Sequence, residues 1–95
     1  MSAYWVAHVN IKDISKFSEY MQKAPKVIDK YQGKLIVCGD QCENLEGPSY
    51  KQHVIIEFES LDKAKECYFS DDYQELKSIR ENAADVIVTL LDGLN

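Results

Sequence analysis

The chain holds a single arginine, Arg80, among eleven basic residues, all the others being lysine. No basic run occurs and the net charge is −5, so the electrostatic footprint of a nucleic-acid binder is missing. No segment sets a Lys/Arg-rich face against a large apolar one, which speaks against a membrane-surface role. No apolar run approaches the roughly 18 residues of a transmembrane span. The opening MSAYWVAH has no charged region followed by an apolar one, and no signal peptide is expected. Cysteine is scarce too: Cys38, Cys42 and Cys67, an odd number without framework spacing. That favours reduced thiols and a cytoplasmic protein. Cys38 lies in an apolar run and Cys67 on an apolar helical stripe, where burial would raise the thiol pKa and leave both inert. Cys38 and Cys42 have the wrong spacing for a zinc knuckle, and no third ligand joins His8 and His53. Neither a metal nor a cofactor is therefore expected. Glycine-rich phosphate loops and nucleophile elbows are also missing.

What is present is a regular alternation of strand and helix patterns. Ninety-five residues are enough for one domain, 1–95, and leave no room for a second core. Ala3–Ile11 alternates two unlike sets, Trp5, Ala7, Val9 and Ile11 against Tyr4, Val6, His8 and Asn10. Asp13 suits an N-cap. From Ile14 to Tyr31 apolar residues recur at helical spacing, with Pro25 inside the run predicting a kink and Gly33 suiting the C′ position. Lys34–Gly39 is a second strand, and Glu46 to Ser49 a turn in a long connection. His53–Glu59 is a third strand, with Val54, Ile56 and Phe58 on one face and His53, Ile55, Glu57 and Glu59 on the other. Ser60 caps a helix carrying Leu61, Ala64, Cys67 and Tyr68. A further helix runs from Tyr73 to about Asn82, with Leu76, Ile79 and Ala83 inward, and Asp85–Asp92 is the fourth strand.

The order β-α-β-β-α-β defines an α+β, ferredoxin-like sandwich, with a four-stranded antiparallel sheet and helices on one face. The usual strand order places the first and third strands side by side in the centre. The helices then cover the Trp5 set. The Tyr4 set, with Ile55 and Glu57, has no helix left to cover it, and a second copy packed sheet to sheet is the simplest partner.

Several stretches resemble, in order and nearly end to end, the family known as domain of unknown function 1330. They are AYWVAHVNIKDISKFSEYMQKAP, GKLIVCG, Leu45-Glu46-Gly47, VIIEFES, CYFSDDYQ and SIRENAAD. The resemblance implies a place in the dimeric α+β barrel superfamily, which includes cofactor-free monooxygenases, isomerases, haem-dependent enzymes and stress-response proteins. It implies a homodimer and leaves the activity open. Members of the family often have Arg at position 8, where this chain has His8, so an anion contact there would use a titratable ring.

Two sets of residues carry candidate chemistry. His8 and Glu57 share the open face on adjacent central strands. If the register sets them opposite, Glu57 would orient His8 as a general base. The plain alternative is a buried, satisfied polar pair. Arg80 could anchor a ligand anion, with Tyr4 and Tyr73 as walls. The plain alternative for Arg80 is an ion pair with Asp71, Asp72 or Glu81. The expected function is that of a small dimeric barrel binding a small anionic or aromatic molecule, with a cofactor-free oxygenase- or isomerase-like enzyme as its catalytic form; the alternative is a non-catalytic binding or stress-response dimer.

Overall fold

The computed structural model of the chain describes residues 2–94. Its elements run β1 (Ala3–Ile11), α1 (Ile14–Lys30), β2 (Lys34–Gly39), β3 (Gln52–Phe58), α2 (Leu61–Phe69), α3 (Asp71–Arg80) and β4 (Ala84–Asp92). The sheet has the order β2-β3-β1-β4 with every neighbouring pair antiparallel. This is the ferredoxin-like arrangement expected from the element order. No helix among the described residues is long and apolar enough to cross a membrane.

The period of two in β1 becomes a division between faces. Ala3, Trp5, Ala7 and Val9 are buried under the helices, while Tyr4, Val6, His8 and Asn10 are half-buried on the open side. Trp5 is the hub of the covered face. Its ring meets Phe58 at 6.2 Å, Tyr68 at 5.5 Å and, edge-on, Tyr73 at 4.8 Å between centroids. Each such side chain contributes about 1.5–3 kcal/mol through burial, with a smaller gain from aromatic geometry.

Local chemistry sets the helix ends. The Asp13 carboxylate accepts from the backbone N–H of Ser15 and Lys16, which caps α1 and holds its pKa below the usual carboxylate range. Pro25 stands in the middle of α1, which continues through it from Ile14 to Lys30; the kink expected there does not break the helix. Ser60 caps α2, and the Ser70 hydroxyl caps α3 by accepting from Tyr73 N–H at 3.1 Å. Asn82, at φ 67°, turns the chain out of α3.

Gly33 has a role different from the one expected. The left-handed residue after α1 is Gln32 (φ 62°), and the Gly33 N–H closes the turn on the Ile28 carbonyl at 2.9 Å. Gly33 is needed for close packing instead: a Cβ there would lie 2.7 Å from Ile28 Cγ2 and 2.9 Å from the Phe58 ring. Gly33→Ala therefore overpacks this junction. A loss of about 1–3 kcal/mol is expected, read as a lower urea midpoint at unchanged slope.

Candidate functional site

Helix α1 packs along α3 and stands away from the strands beneath it. The gap is a cavity of about 120 Å³. Its floor comes from the covered face of the sheet, including Trp5, Ala7 and Val54, and its roof from α1, including Phe17, Met21 and Ala24. The lining is almost wholly apolar. Polar groups enter through Tyr20, Tyr73 and Arg80, with exposed Asp29 also on the lining.

Arg80 is only 7% exposed. It belongs to the buried face of α3, four and seven residues on from Leu76 and Tyr73. None of the expected acids pairs with it: Asp72 binds Lys30 at 2.6 Å, and no ion pair among the described residues includes Arg80. Its Nη2 donates to the Tyr73 hydroxyl at 3.2 Å, its Cζ lies 5.4 Å above the centre of the Tyr20 ring, and its buried Nε–H has no partner. Burial opposes the charge, but the oxygens of Tyr73 and Tyr20 favour it, and the guanidinium pKa is raised. Burial, with Tyr20 adding to it, pushes the Tyr73 phenol well above its ordinary range, so it keeps its proton. The Tyr20 and Tyr73 hydroxyls are 2.8 Å apart. The guanidinium thus makes no ion pair among the described residues, and the carboxylate on the cavity lining, Asp29, is exposed. Leaving a charge buried without a partner costs several kcal/mol.

The open face holds a second, separate constellation. The register sets His8 opposite His53 and Glu57 opposite Tyr4. The expected His8–Glu57 pair is not formed, because the two lie four residues apart along the ladder. His8 meets His53 instead, Nδ1 to Nδ1, at 2.8 Å, with the Tyr50 ring 6.1 Å from that of His8. One of these nitrogens donates and the other accepts, so the pair cannot hold protons on both. His53 Nε2 is buried without a partner. The Tyr4 hydroxyl donates to Glu57 Oε2 across a long 3.4 Å. Tyr4 is therefore on the opposite side of the sheet from Arg80 and walls no cavity with Tyr73. The five candidate residues fall into two groups, Arg80 with Tyr73 and His8, Glu57 and Tyr4 without them. Sequence reasoning gave neither Tyr20 nor His53 a part in either group.

The thiols also divide. Cys67 is fully buried and its pKa is pushed up to about 12 by desolvation. Cys38 is exposed, contrary to the expectation of a buried strand, because β2 is the edge of the sheet.

A ferredoxin-like sheet with helices on one face and an uncovered opposite face defines the class of protein. Within it, residues 2–94 match the family model for the domain of unknown function DUF1330, and the chain belongs to that family. Among solved structures it is similar to a protein of unknown function from Rhodopseudomonas palustris, 19% identical over 99% of this chain and 83% of that one, at a TM-score of 0.78. It is also similar to a dimeric ferredoxin-like protein of unknown function from Jannaschia sp., 9% identical over 98% and 100%, TM-score 0.79. A third is SnoaB, a cofactor-independent oxygenase from Streptomyces nogalater, 8% identical over 99% and 94%, TM-score 0.67. At these identities the likeness is one of fold. No curated protein matches the chain.

Thiol titration at pH 8 with a disulfide reagent is expected to modify Cys38 and Cys42 in the native protein and Cys67 only after unfolding. Rapid native modification of three thiols would contradict the buried position of Cys67.

Proposed function

We propose that this protein binds a small organic anion with an apolar, ring-sized body in the cavity between α1 and the sheet. The observation that carries this reading is the buried Arg80 guanidinium on an apolar cavity, without an ion-pair partner among the described residues. The apolar walls suit a hydrocarbon ring. A cavity of about 150 Å³ lined by apolar side chains accepts benzene, and the 120 Å³ here is of that order. Arginine suits a carboxylate, phenolate or enolate oxygen at the ring's edge.

Binding without catalysis is the better-supported form of the reading. A cofactor-free oxygenase or isomerase needs a base beside the substrate carbon or hydroxyl. The expected base, His8, and its expected orienter, Glu57, lie on the other face of the sheet from Arg80. An oxyanion held by Arg80 remains in keeping with such chemistry, and the fold is shared with a protein described as a cofactor-independent oxygenase.

We also propose that a second copy covers the open face. Ile87 and Leu91 are 44% and 48% exposed there, beside half-buried Val6 and Ile55. Similarity to a protein described as dimeric supports this. Sedimentation equilibrium should give a dimer, and Ile55→Lys a folded monomer; a wild-type monomer at micromolar concentration refutes the association.

Benzoate serves as the probe for the cavity. At ten times its Kd it should add about 1.4 kcal/mol of stability and raise Tm by about 6–11 °C. Arg80→Met should leave the ligand-free protein at least as stable, because it removes an unbalanced buried charge. It should also weaken benzoate binding about 10–150-fold, the worth of a hydrogen bond to a charged group. A strongly destabilised Arg80→Met protein that still binds benzoate would return Arg80 to a structural role.

A further inference from the structure

The hydrogen-bond chain beside the cavity has a direction, and the direction identifies the atom that meets the ligand. Arg80 has only donors, so along the Arg80–Tyr73 contact the Tyr73 oxygen accepts. Tyr73 is wholly buried, with a relative exposure of 0%. Its one hydroxyl hydrogen must go to an acceptor, and the Tyr20 oxygen at 2.8 Å is the one beside it. If Tyr20 donated to Tyr73 instead, the Tyr73 oxygen would receive two donors and its own hydrogen would be buried without a partner, at a cost of about 1–3 kcal/mol. The order is therefore Arg80 Nη2–H to Tyr73 O–H to Tyr20 oxygen. Tyr20 is half-buried and lines the cavity, and its hydroxyl hydrogen has no acceptor assigned to it along this chain.

We infer that Tyr20 is the ligand-contacting donor of the cavity and Tyr73 a positioning residue that acts through it. This rests on the anion-binding reading above and adds the ligand's recognition group to it. Tyr20 O–H stays unspent, the guanidinium has further N–H groups beyond the one given to Tyr73, and its positive charge has no ion-pair partner among the described residues. A planar carboxylate offers two acceptor oxygens and one negative charge, and so fits this inventory. A neutral amide of the same shape offers one acceptor and brings donors that find nothing to bind. Each bond in the chain polarises the next, so the charge of Arg80 strengthens the Tyr20 hydroxyl as a donor. The proton on Tyr73 is essential to this, and burial keeps it in place.

The test is calorimetric titration of benzoate and benzamide into the wild type, Tyr20→Phe, Tyr73→Phe and the double variant. Benzoate should bind the wild type at least tenfold more tightly than benzamide. Tyr20→Phe should weaken benzoate about tenfold or more and leave benzamide nearly unchanged. Tyr73→Phe should weaken benzoate as well, and the double variant should bind it no more weakly than Tyr20→Phe alone, since Tyr73 acts only through Tyr20. Additive losses would mean that Tyr73 meets the ligand itself, which overturns the assigned direction. Benzoate binding that is lost in Arg80→Met but undiminished in Tyr20→Phe overturns this inference and leaves the Arg80 site standing. No benzoate binding to the wild type overturns the anion site and this inference with it. A second readout does not depend on the variants folding: the Tyr20 Cζ resonance of the wild type should move on benzoate addition further than that of Tyr73, and the reverse order would refute the inference.

Discussion

A fully buried tyrosine whose hydroxyl joins two helices is the constraint on which the helical layer depends. Tyr73 is fully buried because Trp5, Tyr68 and Tyr20 pack around its ring, and its hydroxyl takes the Nη2 hydrogen of Arg80. The same hydroxyl reaches Tyr20 on α1. One oxygen thus ties α3 to α1 at the depth of the core, while the Lys30–Asp72 pair joins the same helices at their exposed surface. The surface pair is worth at most about 1 kcal/mol. The buried junction sets the geometry, because its members have no water to fall back on.

The sheet divides the protein's chemistry as it divides its packing. Every residue of β1 is committed to one side by the period of two, so Trp5 can serve the cavity and His8 the open face, but neither can serve both. An acid–base group on the open face cannot reach a substrate beside Arg80 within one chain. The His8–His53 contact and the Tyr4–Glu57 contact are then features of the face that a second copy would cover, and the apolar cavity has phenols, a guanidinium, the exposed Asp29 and the Cys38 thiol on its described lining.

Much of the fold could be read from the sequence because the local signals agree with one another. The bounds of β1 and β2 follow from their apolar runs, and Asp13, Ser60 and Ser70 mark helix starts by their side-chain oxygens. The register of β1 on β3 was not legible. These strands are separated in sequence by α1 and β2, so no tight turn fixes their offset, and an even shift of four residues keeps every side chain on its correct face. That is why His8 and Glu57 share a face without sharing a pair. The plain alternative for Arg80, an ion pair with Asp71, Asp72 or Glu81, fails for a different reason. The spacing of Arg80 from Tyr73 and Leu76 places it on the buried stripe, but a charged residue at a helix end reads first as a surface ion pair. The exposure of Cys38 follows from β2 lying at the sheet edge, a property of strand order rather than of the strand's own composition.

The coincidence of two costs in one place is the strongest physical argument for a ligand. The apolar walls of a gap of about 120 Å³ forgo the packing contacts that a closed core would give them. An unbalanced buried cation costs several kcal/mol more. The whole stability of a domain this size is about 5–15 kcal/mol. Either defect alone has a simple remedy in sequence: a larger side chain on α1 would fill the gap, and Met or Leu at position 80 would remove the charge. The chain uses neither. Instead it surrounds the charge with phenols, which hold it in position without neutralising it. A carboxylate at Asp72, one turn of α3 away from Leu76, is spent on Lys30 at the surface. Local sequence that departs from the most stable choice at two adjacent points is the pattern expected where binding rather than folding sets the residue. An anion with an apolar body would fill the void and balance the charge in a single step.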